Sequence, residues 1–197
     1  MVSFTRRSYS FRRFSQDLVN LIRDRTNIRH TQAELGEVFV RHIMLASTAI
    51  NGCRYCSWGH VLSGMSSGEH YDVMESILDL SLDGIDARER PALQFAMAFA
   101  EKEGNIDRDD VRTLYRNYGE KAGSILTVTR MINFGNLSGN TIDAFQARLD
   151  GQQVDDGSVC LEFLLYVFAG TLFRNRMKDS RLYRTMRQRG ILLGIRQ

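Results

Sequence analysis

Apolar positions along the chain recur mainly at three- and four-residue intervals, the period of a helix half buried against a core. Leu18, Leu21 and Ile22 form the first such stripe and predict a helix over about 15–27. Thr31 stands three residues before Glu34, the spacing of a capping box, and predicts a helix that opens there and runs to about Ile50. Asn51-Gly52 breaks that pattern. The next helix carries Cys53 and His60 to about Met65 and stops at Ser66-Ser67-Gly68. Further helices are predicted over 71–80, 88–103, 108–118, 122–134 and 138–149, with loops at Asp83-Gly84 and Asp150-Gly151. A last one covers 159–187, with a break near Asp179-Ser180. No run alternates apolar and polar residues as a half-buried strand does. The pattern predicts an all-α fold in one domain, 1–197, with a core motif at 33–68 and a basic amphipathic C-terminal helix at about 159–197.

Composition agrees with a globular chain. Of 197 residues, 43% are hydrophobic and 25% charged, too apolar for a disordered segment. A single proline, Pro91, leaves long helices uninterrupted. The apolar stretch from Val159 to Phe173 is too short to span a bilayer and contains Glu162, so no membrane partner is expected. The start has charge but no apolar run of a signal peptide, and three cysteines cannot make a secreted disulfide framework. The expectation is a soluble, cytoplasmic protein.

The net charge of +3 implies no polyanionic partner, but its distribution is uneven. Arg174, Arg176, Lys178, Arg181, Arg184, Arg187, Arg189 and Arg196 crowd the end, where Asp179 is the one acidic residue. Such a tail can follow a phosphate backbone. It also carries Leu182, Tyr183, Met186, Ile191 and Leu192, so packing on a neighbouring subunit is the expectation and nucleic acid is not.

The chemistry concentrates in Asn51-Gly52-Cys53-Arg54-Tyr55-Cys56-Ser57-Trp58-Gly59-His60. On a helix starting near Asn51, Cys53, Cys56 and His60 are spaced i, i+3, i+7 and share one face. A dithiol in the first turn can close into a disulfide, and the unpaired N–H groups there stabilise a thiolate. A histidine one turn on can take the Cys56 proton or return it. Two other readings use the same residues. The cysteines can be small buried hydrophobes beside a surface histidine. They can also be zinc ligands with His60, needing a fourth from elsewhere, such as His42.

The stretch from Val40 to Gly68 resembles the alkylhydroperoxidase D-like and carboxymuconolactone decarboxylase family, in its peroxidase-related branch. The matching elements are a helix of small and aliphatic residues, Asn51-Gly52-Cys53, Tyr55-Cys56, His60 and the turn at Gly68. The resemblance implies an all-α fold whose protomers associate as trimers or hexamers. It implies a thiol peroxidase or disulfide reductase acting on a hydroperoxide or disulfide. Cys56 would attack, Cys53 would resolve, and His60 would belong to a proton relay. No metal, flavin or haem is implied, only the Cys53–Cys56 redox-active disulfide and a protein dithiol as electron donor. The decarboxylase reaction of the family does not rest on paired cysteines and ranks low.

One position departs from the family's pattern. Twelve residues before Cys53, where the relay glutamate stands, this chain has Arg41. Arginine is no base, although its charge can lower a nearby thiol's pKa. Glu37, one turn earlier, is the nearest replacement carboxylate, with an i, i+4 ion pair to Arg41 as its plainer role. His42 can approach the dithiol or simply pack. Asn133, Asn136 and Asn140 make one polar line if the helix is continuous, or turn residues if Gly135 and Gly139 break it. Cys160 is expected to be an inert buried thiol. The functional expectation is thiol-dependent peroxide or disulfide reduction. The alternative is a helical interaction or redox-sensing protein without turnover, contacting nucleic acid through its tail.

Overall fold

The computed structural model describes residues 3–170, 177 and 180–188, apart from the Arg29 side chain. In chain order these contain strand β1 (Ser3–Phe4), helices α1 (Phe11–Arg23), α2 (Arg25–Leu35), α3 (Glu37–Asn51), α4 (Arg54–Ser66), α5 (Tyr71–Leu78), α6 (Arg90–Glu101), α7 (Arg108–Tyr118) and α8 (Lys121–Leu149), strand β2 (Gln153–Val154), helix α9 (Val159–Leu165), a π-helical turn (Tyr166–Gly170) and helix α10 (Arg181–Gln188). The fold is all-α, as the patterning predicts. The two short strands form one parallel pair, Ser3 with Gln153 and Phe4 with Val154, too brief for any alternating pattern.

α3 and α8 are the scaffold. Ile43, Leu45 and Ala46 of α3 are fully buried, as are Ile125 and Val128 of α8, in a core shared with Met74 and Leu93. Complete burial of one such aliphatic side chain contributes roughly 1.5–3 kcal/mol. α3 packs on α4, α5, α6 and α8, so the helix leading into the cysteine segment is held from several sides. The dithiol loop therefore starts from a rigid support.

Several predicted boundaries move, each for a local reason. Thr31 caps nothing: it lies inside α2, buried, and its hydroxyl donates 2.8 Å to the Ile28 carbonyl one turn back. Glu34 accepts from the Ser124 hydroxyl of α8. The break falls instead at Gly36, whose φ of 86° only glycine adopts readily. The Leu18–Ile22 stripe forms its helix but not a buried face. No α1 residue is buried, and Val19 and Ile22 are exposed. α1 is held by its N-terminal end, where Phe14 stacks against Tyr9 and Phe134.

The predicted helices 122–134 and 138–149 are one helix, α8, running through Gly135 and Gly139. Cys160 is exposed rather than buried, because α9 turns Leu161 and Glu162 inward and leaves Val159, Cys160 and Phe163 outside. The predicted C-terminal helix is present as α9, the π-helical turn and α10, with Ser180 outside a helix. Arg174, Arg176, Lys178, Asp179, Arg189, Arg196, Ile191 and Leu192 lie outside the described residues, so the basic tail is described only in part. No helix among the described residues is long and apolar enough to cross a membrane.

Candidate dithiol site

α3 ends where the sequence breaks. Gly52 is left-handed, at φ 68°, and its N–H donates 2.9 Å to the Thr48 carbonyl, closing the helix. The chain then extends for one residue, Cys53, before α4 starts. Cys53 is thus the N-cap of α4 rather than part of its first turn. Its sulfur accepts the Cys56 backbone N–H at 3.3 Å, the place a serine or aspartate oxygen takes in an ordinary cap. Cys53 and Cys56 are joined in a disulfide, with Cα atoms 5.4 Å apart, inside the usual range for such bonds. Cys53 is fully buried, whereas Cys56 is only partly so. The two sulfurs are therefore not equivalent: a reagent from solvent meets Cys56 first.

α8 forms the back of this loop. Gly139 faces Cys53 so closely that an added Cβ would stand 2.6 Å from the sulfur. This contact explains why a glycine stands in the middle of a long, continuous helix. One turn further, the buried carboxylate of Asp143 gathers three donors. The Tyr55 hydroxyl and Arg6 Nη1 each donate to it at 2.7 Å, and Arg54 also donates. Arg6 donates in addition to the Gly52 carbonyl at 3.3 Å.

The asparagine line is continuous and buried. Thr48 donates 2.9 Å to Asn136, Asn51 donates 3.0 Å to Asn133, and Asn140 donates 2.8 Å to the Asn51 carbonyl. These side chains join α8 to the C-terminal end of α3, directly ahead of Cys53. Asn133 also lines a cleft of about 560 Å³ bounded by α1, α8 and the loop after α6, which neither cysteine lines.

His60 follows Cys56 by one helical turn and is half-buried. Burial, and then the positive charge of Arg41, lower its pKa from the ordinary value to about 4. At neutral pH the imidazole is uncharged and able to accept a proton.

Arg41 lies at the centre of a second cluster. Its side chain is buried, runs along Gly64 one turn beyond His60, and binds Glu37 at 2.9 Å and Glu69 at 3.1 Å. Glu37 is exposed and makes the i, i+4 pair with Arg41. His42 is buried too. Its Nε2 meets Glu69 and its Nδ1 meets Glu89, each at 2.6 Å. Burial opposes charge on His42, but Glu89 and Glu69 outweigh it and raise its pKa above the ordinary value. His42 therefore ties α3 to the loop before α5 and to the start of α6. Both of its ring nitrogens are thus engaged by carboxylates rather than by the dithiol.

Of the sequence-derived site residues, Cys53 caps α4, Cys56 lies in its first turn and His60 one turn further on, with Arg41 near His60. Glu37 and His42 join Arg41's ion-pair cluster. Among the residues that sequence reading misses are Glu69 and Asp143. Glu69 sits just past the Ser66-Ser67-Gly68 turn, and a carboxylate after a helix end is a weak signal. Asp143 had none, since Arg54 and Arg6 lie 89 and 137 positions away. Among the described residues, no group of three or more His, Cys, Asp or Glu side chains is placed to hold a metal ion. No family model, curated protein or solved structure matches the chain.

Proposed function

We propose that this protein is a thiol-dependent oxidoreductase that reduces a hydroperoxide or a disulfide through Cys53 and Cys56. The observation that carries this reading is the Cys53–Cys56 disulfide at the start of α4, with one sulfur buried and the other reachable. In the reduced protein, neutral His60 relays the Cys56 proton toward solvent and Cys56 attacks as a thiolate. With a hydroperoxide, the O–O bond breaks, the alcohol leaves, and Cys56 becomes a sulfenic acid. Cys53 then displaces water and closes the disulfide. A dithiol donor reopens it, taking the disulfide onto itself and returning two electrons and two protons. With a disulfide substrate, Cys56 forms a mixed disulfide that Cys53 resolves in the same way.

Arg41 has a defined part in this scheme, although it cannot carry a proton. Its charge adds to burial in holding His60 in the neutral form, a role different from that of a relay glutamate. With its basicity lowered, that imidazole takes up a proton only in passing. The association of copies is part of the proposal as well. Phe163, Val167 and Phe168, exposed on α9 and the π-helical turn, offer apolar surface for it.

Turnover tests the reading. Reduced protein is mixed with cumene hydroperoxide, or with an oxidised low-molecular-weight disulfide, and dihydrolipoamide as donor. Donor oxidation is then followed for wild type, Cys56→Ser, Cys53→Ser and His60→Ala. Loss of turnover in both cysteine variants supports the proposal. Equal rates in wild type and Cys56→Ser would remove it, leaving the redox-sensing or interaction protein as the reading to pursue.

A further inference from the structure

Asp143, Arg54 and Arg6 form a charged cluster around the two residues that separate the cysteines. Arg54 is covalently next to Cys53 and one residue from Cys56. Tyr55, the other intervening residue, donates its hydroxyl to Asp143. Arg6 comes from the segment after β1 and bridges Asp143 to the Gly52 carbonyl, the peptide that precedes Cys53. The Asp143 side chain is 1% exposed, and those of Arg6 and Arg54 are 15% and 21% exposed. So little water is present that each charge acts on its neighbours through a low effective dielectric. Two cations and one anion leave the cluster with a net charge of +1 beside the sulfurs. Gly139, one turn before Asp143 on α8, holds the Cys53 sulfur against the same helix.

We propose that Asp143, Arg54 and Arg6 are positioning residues that set the reduction potential of the Cys53–Cys56 pair; this rests on the redox reading above. The cations favour the thiolate of the reduced protein and so favour reduction, while Asp143 offsets them. The equilibrium that reports this is exchange with glutathione. Two glutathione thiols give their electrons and protons to the Cys53–Cys56 bond. That S–S bond breaks, both cysteines become thiols, and a new S–S bond forms in glutathione disulfide.

The experiment equilibrates the full chain at pH 8, where thiolate is populated, in reduced and oxidised glutathione of varied ratio. The oxidised fraction is read by alkylation and mass spectrometry. Asp143→Asn exposes the sulfurs to two uncompensated cations and is expected to favour the dithiol about tenfold, a shift of ~30 mV to less negative potential. Arg54→Gln is expected to shift the equilibrium the other way, and Arg6→Gln likewise by a smaller factor. A merely structural role predicts no such opposition of sign.

Equal potentials in all four proteins, or shifts of one sign, overturn the proposal. Should Asp143→Asn fail to fold, the two arginine variants decide alone: both must favour the disulfide, and unchanged values overturn it. A disulfide that glutathione opens in no variant overturns the redox reading itself, and this inference with it.

Discussion

Gly139 of α8 lies against the buried sulfur of Cys53, with 2.6 Å between that sulfur and the position of an absent Cβ. Two helices from distant parts of the chain meet there at a distance only glycine permits. Gly139→Ala is expected to destabilise the protein by about 1–3 kcal/mol, the usual cost of forcing a methyl group into a packed core. Gly135, one turn earlier, has nothing within 4 Å of its Cβ position. Gly135→Ala should stabilise by up to ~1 kcal/mol through helix propensity alone. Urea unfolding of the two variants checks this. Similar effects from both would mean that the Cys53 contact carries no constraint.

His60 and His42 are expected to oppose each other in their pH dependence. The pKa of His60 in the fold is about 4, below the unfolded value of ~6.5. The unfolded chain therefore binds the proton first. The stability from neutral His60 is fully present above pH ~6.5 and is lost as pH falls toward about 4. His42 has a raised pKa, so the fold binds the proton first. Its contribution is present below pH ~6.5 and is lost as pH rises through the folded value. Unfolding free energies across pH 4–8 should show His60→Gln flattening the acid side and His42→Gln flattening the side near neutrality. Identical profiles for both variants would show that neither shift operates.

Glu162 is fully buried on α9, and Arg148 of α8 binds it with two donors, at 2.7 and 3.3 Å. Arg148→Met removes the only cation paired with this carboxylate among the described residues. A buried charge left without its partner costs about 3–5 kcal/mol. Arg148→Met/Glu162→Leu removes both charges and should recover much of that loss. Chemical denaturation of the single and double variants measures it. If the single variant is as stable as wild type, Glu162 is not confined by α9 in the way the fold shows.

Much of this architecture was legible because its cause is local. The left-handed turn at Gly52 follows from Asn-Gly, and α7 spans the predicted 108–118 because its apolar spacing and Asp107 cap act within one helix. What failed depended on contacts far along the chain. The Thr31–Glu34 spacing mimics a capping box, but Thr31 finds its carbonyl one turn back and Glu34 finds Ser124 on α8. Gly135 and Gly139 look like breaks until Cys53 is placed against the second of them. The cysteine–histidine spacing was readable, and so was the i, i+4 pairing of Glu37 with Arg41. Glu69 and Asp143 were not, because each acquires its partners only when separate helices pack.

The unequal burial of Cys53 and Cys56 predicts the order in which they react. After reduction, Cys56 keeps its access to solvent, while Cys53 stays buried against Gly139 as the cap of α4. Brief treatment of the reduced protein with iodoacetamide should therefore label Cys56 well before Cys53, with exposed Cys160 as an internal reference for an ordinary thiol. Cys56 should also outpace Cys160 near neutral pH, since it lies in the first turn of α4 and neutral His60 one turn away relays its proton, and His60→Ala should reduce that advantage. Cys53→Ser leaves Cys56 without its resolving partner, so it should accumulate a mixed disulfide with glutathione. Cys56→Ser leaves a fully buried thiol and should accumulate none at position 53. Peptide mass spectrometry reads all of these sites in one digest. Faster labelling of Cys53 would reverse the assignment of attacking and resolving sulfurs, and Cys56 reacting no faster than Cys160 would leave His60 without a role at the dithiol.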